Sequence, residues 1–414
     1  MPNESKSSAL SDRIRQNGIP LDQKKIEWKE YKLGEIAEIV GGGTPSTSNE
    51  DYWDGDIPWL SPKDLTGYNR VYIEKGARNI TKEGLRKSSS KLMPAGPVLF
   101  SSRAPIGYVA IAKNEICTNQ GFKSLVCNPN KLWNVFAYYW LKANTEYLQS
   151  LGTGTTFAEI SGAVMKSISI SIPPLSEQKR IASILSSLDD KIDLLHRENA
   201  TLEAMAETLF RHLFIENPSP YWKEVSLGKC IKLVGGGTPK TSEESYWNGG
   251  VCWLSGGDIA NNHKGFVLKS EKQISIEGLN NSSAKLLPEN AMIVSARGTV
   301  GKYCLLERAM AFSQSNYGIM PVYKNCYFFT YLLVAHHIDE LKSASYGSVF
   351  DTITTKTFDG ITLNLPKEES YIFEFEDRIE PYFSKIKNNS KQIQSLIQTR
   401  DCLLPKLMEY GSAG

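Results

Sequence analysis

The chain contains the same unit twice, and that duplication constrains its fold more than any other feature. Gly41-Gly42-Gly43-Thr44-Pro45 recurs as Gly235-Gly236-Gly237-Thr238-Pro239, 194 positions later. At that offset Tyr52-Trp53 meets Tyr246-Trp247, and Trp59-Leu60-Ser61 meets Trp253-Leu254-Ser255. Over positions 41–65, 15 of 25 residues are identical to their counterparts. The register holds without a gap through Arg103/Arg297, Gly107/Gly301 and Gln120/Gln314. After one deletion the offset is 193, matching Phe157 to Phe350 and Pro173 to Pro366. A repeat of this length implies two copies of one domain, because each must bury its own core.

Each unit has two parts. The first (28–174, then 220–366) mixes strand and helix signals. Val98-Leu99-Phe100 and Val109-Ala110-Ile111 are short apolar runs between Gly and Pro, as in buried strands. Ile168, Ile170 and Ile172 alternate with serines, the pattern of a half-buried strand. Residues 136–151 and 328–341 read as helices. The second part is a long helix. Ser176 is its expected N-cap, after Pro173-Pro174. Ile181, Leu185, Leu188, Ile192, Leu195, Asn199, Leu202, Leu209 and Leu213, with Ala206, alternate at spacings of 4 and 3. The second copy carries Ile379, Ile386, Ile393, Leu396, Leu403 and Leu407 on the same kind of seam, with Asn389 and Arg400 interrupting it. Pro381 is expected to kink that helix and Pro405 to weaken its end.

The expected fold is therefore α+β: two tandem α/β domains joined by two long helices in an antiparallel coiled coil with pseudo-twofold symmetry. The expected boundaries are a tail (1–27), a first domain (28–174), a central helix (175–219), a second domain (220–366) and a C-terminal helix (367–414).

Two related heads on a rigid spacer suit a linear, periodic ligand such as double-stranded DNA. The heads share their glycines and tryptophans, whereas 66–79 and 260–273 differ almost throughout. With 47 Lys+Arg against 45 Asp+Glu, a uniformly basic coat protein is excluded, although a local basic face is not. The charge divides unevenly, since 175–214 carries 5 basic and 7 acidic residues and 368–409 carries 6 and 8. Seven scattered cysteines, with no CxxC, suggest buried reduced thiols in a cytoplasmic protein. No apolar run is long enough for a membrane span, and no His/Cys spacing suggests a metal site.

These residues resemble the specificity subunits of type I restriction-modification systems, over nearly the whole chain from residue 28. The Gly-Gly-Gly-Thr-Pro, Tyr-Trp and Trp-Leu-Ser blocks resemble the start of each target recognition domain. Ser101-Ser102-Arg103, Gly107 and Thr118-Asn119-Gln120-Gly121 resemble its later blocks. Ile172-Pro173-Pro174-Leu175-Ser176-Glu177-Gln178 resembles the family's central helix, and the second copy, Leu365-Pro366-Lys367-Glu368, departs from it.

The resemblance implies a non-catalytic subunit in which each head reads half of an asymmetric bipartite site. It implies as partners double-stranded DNA, two methyltransferase subunits and, where present, restriction subunits. S-adenosylmethionine, ATP and Mg would act in those partners, with no cofactor in this chain. Consistently, no methyltransferase Asn/Asp-Pro-Pro-Tyr/Phe loop and no ATPase P-loop is present.

Candidate DNA contacts are Arg103 and Arg297, which could fork onto guanine or phosphate or serve as loop braces, and Gln120 and Gln314, which could pair with adenine or stabilise a turn. The divergent loops add Lys63, Tyr68, Asn69 and Arg70 in the first head, and Asn261, Asn262, His263 and Lys264 in the second. The glycine triplets are expected to make turns at positive φ, and the paired tryptophans to hold them. The alternative is a two-headed coiled-coil scaffold for protein or glycan.

Overall fold

A computed structural model describes residues 27–154, 158–345 and 352–408. The tail expected over 1–27, apart from Glu27, and the Phe157/Phe350 pair lie outside the described residues.

The first head is built on strands β1 (Lys29–Lys32), β2 (Ala37–Gly41), β3 (Trp53–Leu60), β4 (Tyr72–Ile73), β5 (Arg78–Ile80), β6 (Val98–Ser102), β7 (Ile106–Ala112), β8 (Cys117–Thr118), β9 (Lys123–Cys127) and β10 (Ser169–Ile172). They form a five-stranded sheet in the order β2-β9-β6-β7-β4, a three-stranded sheet β5-β3-β8 and the pair β1-β10. β6 is buried along its whole length, as its apolar run requires. β10 alternates half-buried serines with buried isoleucines and pairs antiparallel with β1.

The second head repeats this with β11 (Lys223–Ser226), β12 (Ile231–Gly235), β13 (Trp247–Leu254), β14 (Phe266–Val267), β15 (Lys272–Ile274), β16 (Leu286–Leu287), β17 (Met292–Ser295), β18 (Tyr303–Leu306), β19 (Met310–Phe312), β20 (Asn316–Pro321) and β21 (Thr362–Leu365). The orders are β12-β20-β17-β18-β14, β15-β13-β19-β16 and β11-β21. β3 and β13 even share a bulge, after Trp53 and after Trp247, beside Asp54 and Asn248 at φ 60° and 59°.

Four helices matter for the site: α1 (Asn134–Ala143), α2 (Leu175–Phe210), α3 (Tyr327–His336) and α4 (Ser370–Met408). The single helices expected over 136–151 and 328–341 are each two. Breaks fall at Asn144 and His337, followed by short helices Thr145–Ser150 and Ile338–Ser345. α1 and α3 are related by 193, so the deletion falls between the last strand of each main sheet and these helices.

Two further expectations are corrected. α2 begins at Leu175, one residue before the expected cap Ser176, because the Pro174 carbonyl already accepts from the Glu177 and Gln178 amides at 2.9 and 3.0 Å. α4 runs unbroken through Pro381 and Pro405. Both prolines are exposed, so the carbonyl that each leaves unpaired can face water.

The chain divides into two compact units. One takes everything up to Asp189 together with the chain from Thr399 on, and the other is Asp190–Gln398. Both cuts fall inside the long helices.

Within the second unit, α2 and α4 run antiparallel. Phe375 meets Phe214 at 5.0 Å, Asn389 Nδ2 donates to Asn199 Oδ1 at 2.8 Å, and Ile393 packs with Ile192 and Leu195. Within the first unit, Arg400 Nη1 bonds Asp189 Oδ1 at 2.6 Å, and Leu403, Leu407 and Met408 pack on the core containing Ile181 and Leu185.

The seam positions are all buried or half-buried, Leu188 included. They do not serve one purpose. Only Ile192, Leu195, Ile393, Leu396 and Ile397 form a cluster made of the two helices alone. Leu202, Leu209, Leu213, Ile379 and Ile386 join the core of the second head. The heptad thus serves helix pairing in the middle and head packing at either end.

Candidate nucleic-acid interface

In each head the glycine triplet leaves the main sheet and passes under two tryptophans. Gly43 N–H donates to the Thr118 carbonyl at 2.8 Å, and the Gly43 carbonyl accepts from Trp59 Nε1 at 2.9 Å and Ser90 Oγ at 2.6 Å. Trp53 crosses Trp59 edge-on at 5.1 Å. The second head reproduces this, with Trp253 Nε1 on the Gly237 carbonyl at 2.9 Å and Trp247 against Trp253 at 5.4 Å.

The glycines do not have positive φ. Their requirement is closeness. A Cβ on Gly42 would lie 2.2 Å from the Thr118 carbonyl oxygen, and one on Gly236 would lie 2.2 Å from that of Ser313. No anion-binding nest forms from backbone of this kind.

This close approach brings the next residue to the candidate glutamine. Thr44 Oγ1 donates to Gln120 Oε1 at 2.5 Å, and Thr238 makes the same bond to Gln314. Both glutamines are exposed, and the bond holds each carboxamide oxygen, leaving its NH2 directed by the turn. Ser102 N–H donates to the Gly121 carbonyl at 2.7 Å, which places Arg103 next along the same edge.

Here the heads diverge. Arg103 Nη1 lies 3.3 Å from Glu159, and Lys123 Nζ bonds the other Glu159 oxygen at 3.0 Å. Glu159 is thus held between two cations, and Arg103 acts as a brace. Tyr317 and Thr352 occupy the matching places in the second head. Arg297 is exposed there, with its backbone N–H on the Ser315 carbonyl at 3.2 Å.

The divergent loops begin from a shared anchor. Asp64 accepts from Ser61 N and Oγ at 2.7 and 2.8 Å and from Ala77 N at 2.8 Å. Asp258 does the same for Ser255 and Glu271. Lys63 is exposed within that anchor, and Asn69 and Arg70 are exposed beyond it, as is Asn261 in the second head. Tyr68 is turned into the fold, packing on the second core of its head and donating to the Tyr72 carbonyl.

Asn262 Nδ2 closes its own short helix on the Asp258 carbonyl at 2.8 Å. His263 lies edge-on to Tyr303 at 4.8 Å, and Lys264 reaches Glu207 of α2 at 3.6 Å. The structure therefore brings Thr44, Gln120 and Arg103 together, and likewise Thr238, Gln314 and Arg297. It directs Tyr68, His263 and Lys264 elsewhere. Thr44 and Thr238 were missed in the sequence, although their place beside the triplet in both copies is a usable signal.

Among the described residues no group of three or more His, Cys, Asp or Glu is placed to hold a metal, and no helix is long and apolar enough to cross a membrane. All seven cysteines are free, and Cys402 is exposed rather than buried. Burial pushes the Cys117 and Cys326 thiols up to about 12.

A duplicated frame with an exposed polar edge and unlike loops in each copy defines a two-headed recognition protein. Its residues 25–204 and 221–397 both match the family described as the type I restriction modification DNA specificity domain. The chain is 32% identical over 406 residues to the type I restriction enzyme MjaIX specificity subunit of Methanocaldococcus jannaschii, covering 92% of this chain and 93% of that one. It is 32% identical over 177 residues to the EcoR124I/EcoR124II specificity subunit of Escherichia coli, 41% and 43% of the two lengths. The crystal structure of a type I restriction-modification S subunit from M. genitalium has the same fold, with a TM-score of 0.57 at 17% identity, covering 93% of this chain and 97% of that one.

The chain belongs to the family of type I restriction-modification specificity subunits. It is the DNA-recognition part of such a complex, which assembles with modification and restriction subunits. The family carries no catalytic cofactor, and catalysis lies in other subunits. The protein- or glycan-binding scaffold finds no support.

Proposed function

We propose that each head reads one half of an asymmetric, bipartite DNA site, and that the paired helices set the separation of the halves and dock two methyltransferase subunits. The observation that carries this is the pair of matched frames with unlike loops. Anchors at Ser61/Asp64 and Ser255/Asp258 fix the same starting point, and the residues beyond them differ. Lys63, Asn69 and Arg70 in one head and Asn261 in the other are the exposed candidates for base edges and phosphates. Gln120, Gln314, Arg103 and Arg297 form the edge next to them.

The domain division that goes with this reading is 28–174 and 220–366 for the two heads and 175–219 and 367–414 for the helices. S-adenosylmethionine, ATP and Mg act in the partner subunits, and the complex works in the cytoplasm.

The test is methylome sequencing of cells expressing this chain with its methyltransferase partner. A new split adenine-methylation motif is expected. Replacing 28–174 with the first domain of another specificity subunit should change one half of that motif only. A change in both halves, or no split motif at all, refutes modular reading.

A further inference from the structure

The second head contains a cleft of about 410 Å³ that lies apart from the Thr238–Gln314 edge. Its floor is rigid and aromatic. Tyr303 meets His263 at 4.8 Å and Tyr331 at 5.5 Å, both edge-on. Tyr331 Oη donates to Glu203 Oε1 at 2.8 Å. Its lining carries Arg211, Lys264, Lys302 and Lys342 with two carboxylates, Glu207 and Asp339, and Arg211 also pairs with Glu216 at 2.9 Å. The two lining carboxylates are already engaged, Glu207 with Lys264 at 3.6 Å and Asp339 with Lys342 at 2.7 Å. Lys302 is exposed and makes no ion pair among the described residues.

One tight turn organises this lining. Gly301 N–H donates to the Ser295 carbonyl at 3.0 Å and Lys302 N–H to the Thr299 carbonyl at 3.1 Å. Gly298 and Gly301 have φ of 75° and 79°. A Cβ on Gly301 would lie 2.4 Å from Lys342 Cδ, so glycine here lets the lysine stem cross the turn. Arg297 and Lys302 stand at the two ends of that turn, one at the exposed edge and the other on the cleft.

The first head keeps a cation, Arg70, at the place of Lys264 but lacks two of the others. Tyr108 stands at the place of Lys302, and Gln149 at that of Lys342. Gln149 is used by the fold, donating to the Ile106 carbonyl at 3.0 Å. Burial, then nearby lysines, hold His263 below the ordinary histidine range, and burial does the same for His336. Near neutral pH the charge therefore comes from the lysines and arginine.

Three of the four cations already have a carboxylate partner, so Lys302 is the charge that meets an incoming anion uncompensated, and an anion seated beside it gains from that attraction and from the neighbouring cations. Lysine ammonium groups on a rigid wall suit a phosphate, which they meet as point charges. We propose that this cleft binds a phosphate group of the DNA backbone beside the half-site read by the second head, an inference that rests on the DNA-reading role above. Such a contact positions the head and carries no base information.

The experiment uses the complex with the methyltransferase partner and measures duplex affinity against salt. Lys302→Ala with Lys342→Ala should weaken binding about 10-fold or more near 0.1 M salt. It should also make the log–log salt slope shallower by about 1 to 2, given about 0.9 per phosphate contact. The loss should be equal on the cognate duplex and on one with the second half-site scrambled, with the methylated motif unchanged. Lys302→Ala alone removes an exposed side chain and gives the same reading if the double variant does not fold. Wild-type affinity and slope in the variants overturn the proposal. Titration of the wild-type complex with inorganic phosphate and with ATP separates the sources. Binding of either that the variants abolish, with an unchanged DNA slope, makes the ligand a free phosphate and overturns the backbone assignment. A wild-type complex that recognises no split site sinks the DNA-reading role itself instead.

Discussion

Gly41 and Gly42 are neighbours with opposite tolerance. A Cβ on Gly41 would meet nothing within 4 Å, whereas one on Gly42 would lie 2.2 Å from a carbonyl oxygen. Gly42→Ala should therefore destabilise the first head by roughly 1–3 kcal/mol through forced backbone movement, and Gly41→Ala should fall within about 0.5 kcal/mol of wild type. Urea unfolding of both variants checks this. Loss of equal size at the two positions would show that flexibility, not closeness, is what the triplet supplies. The need for glycine was legible in the repeated string. Its reason was not, because the strand that closes over Gly42 comes more than 70 residues later in the chain.

At the scale of elements, the two heads fasten the start of their aromatic helix differently. Gln178 Oε1 accepts from the Trp133 N–H at 2.8 Å at the entrance to α1. Glu376 takes that role for α3, accepting from the Phe328 and Phe329 N–H groups at 3.0 and 2.7 Å. A carboxylate at a helix N-terminus gains from the dipole, but Glu376 is 8% exposed. Burial outweighs both hydrogen bonds and raises it to about 7. The folded pKa exceeds the usual glutamate value of 4.5, so the folded head holds a proton that the unfolded chain releases between those values. The contribution is complete below 4.5 and is lost as pH rises through about 7. Glu376→Gln should flatten the stability profile of the second head over that window and raise its stability above pH 7. Denaturation at pH 5, 6, 7 and 8 reads this out, and an unchanged slope would show that Glu376 stays ionised throughout. The long helices themselves were legible, because heptad spacing survives any context. Which stretches face a helix and which face a head was not, since both partners are apolar and satisfy the same pattern.

For the molecule, duplication was the strongest signal, and the strands obey its offset almost residue by residue. The nesting of the units was hidden. Asp190–Gln398 interrupts the first unit, which is completed only from Thr399 on. Arg400 shows what the late segment contributes. Asp189 is 7% exposed, and accepts from Arg400 and from Tyr139 Oη, each at 2.6 Å. Arg400→Ala would leave a buried carboxylate with one donor, at a cost of about 3–5 kcal/mol. Asp189→Asn should recover part of that loss. Hydrogen exchange should show the weakening in the first head, with the second unchanged. An equal loss in both heads would contradict the division into units.

This nesting has a consequence for the order of events during synthesis. A ribosome finishes the chain of the first head early, yet its buried Asp189 must wait for Arg400, more than 200 residues downstream. The second unit is continuous and can fold as soon as it emerges. The head made first is thus the last to reach its final stability, and until then its unfinished apolar surface is open to chaperones or to a partner that arrives during translation.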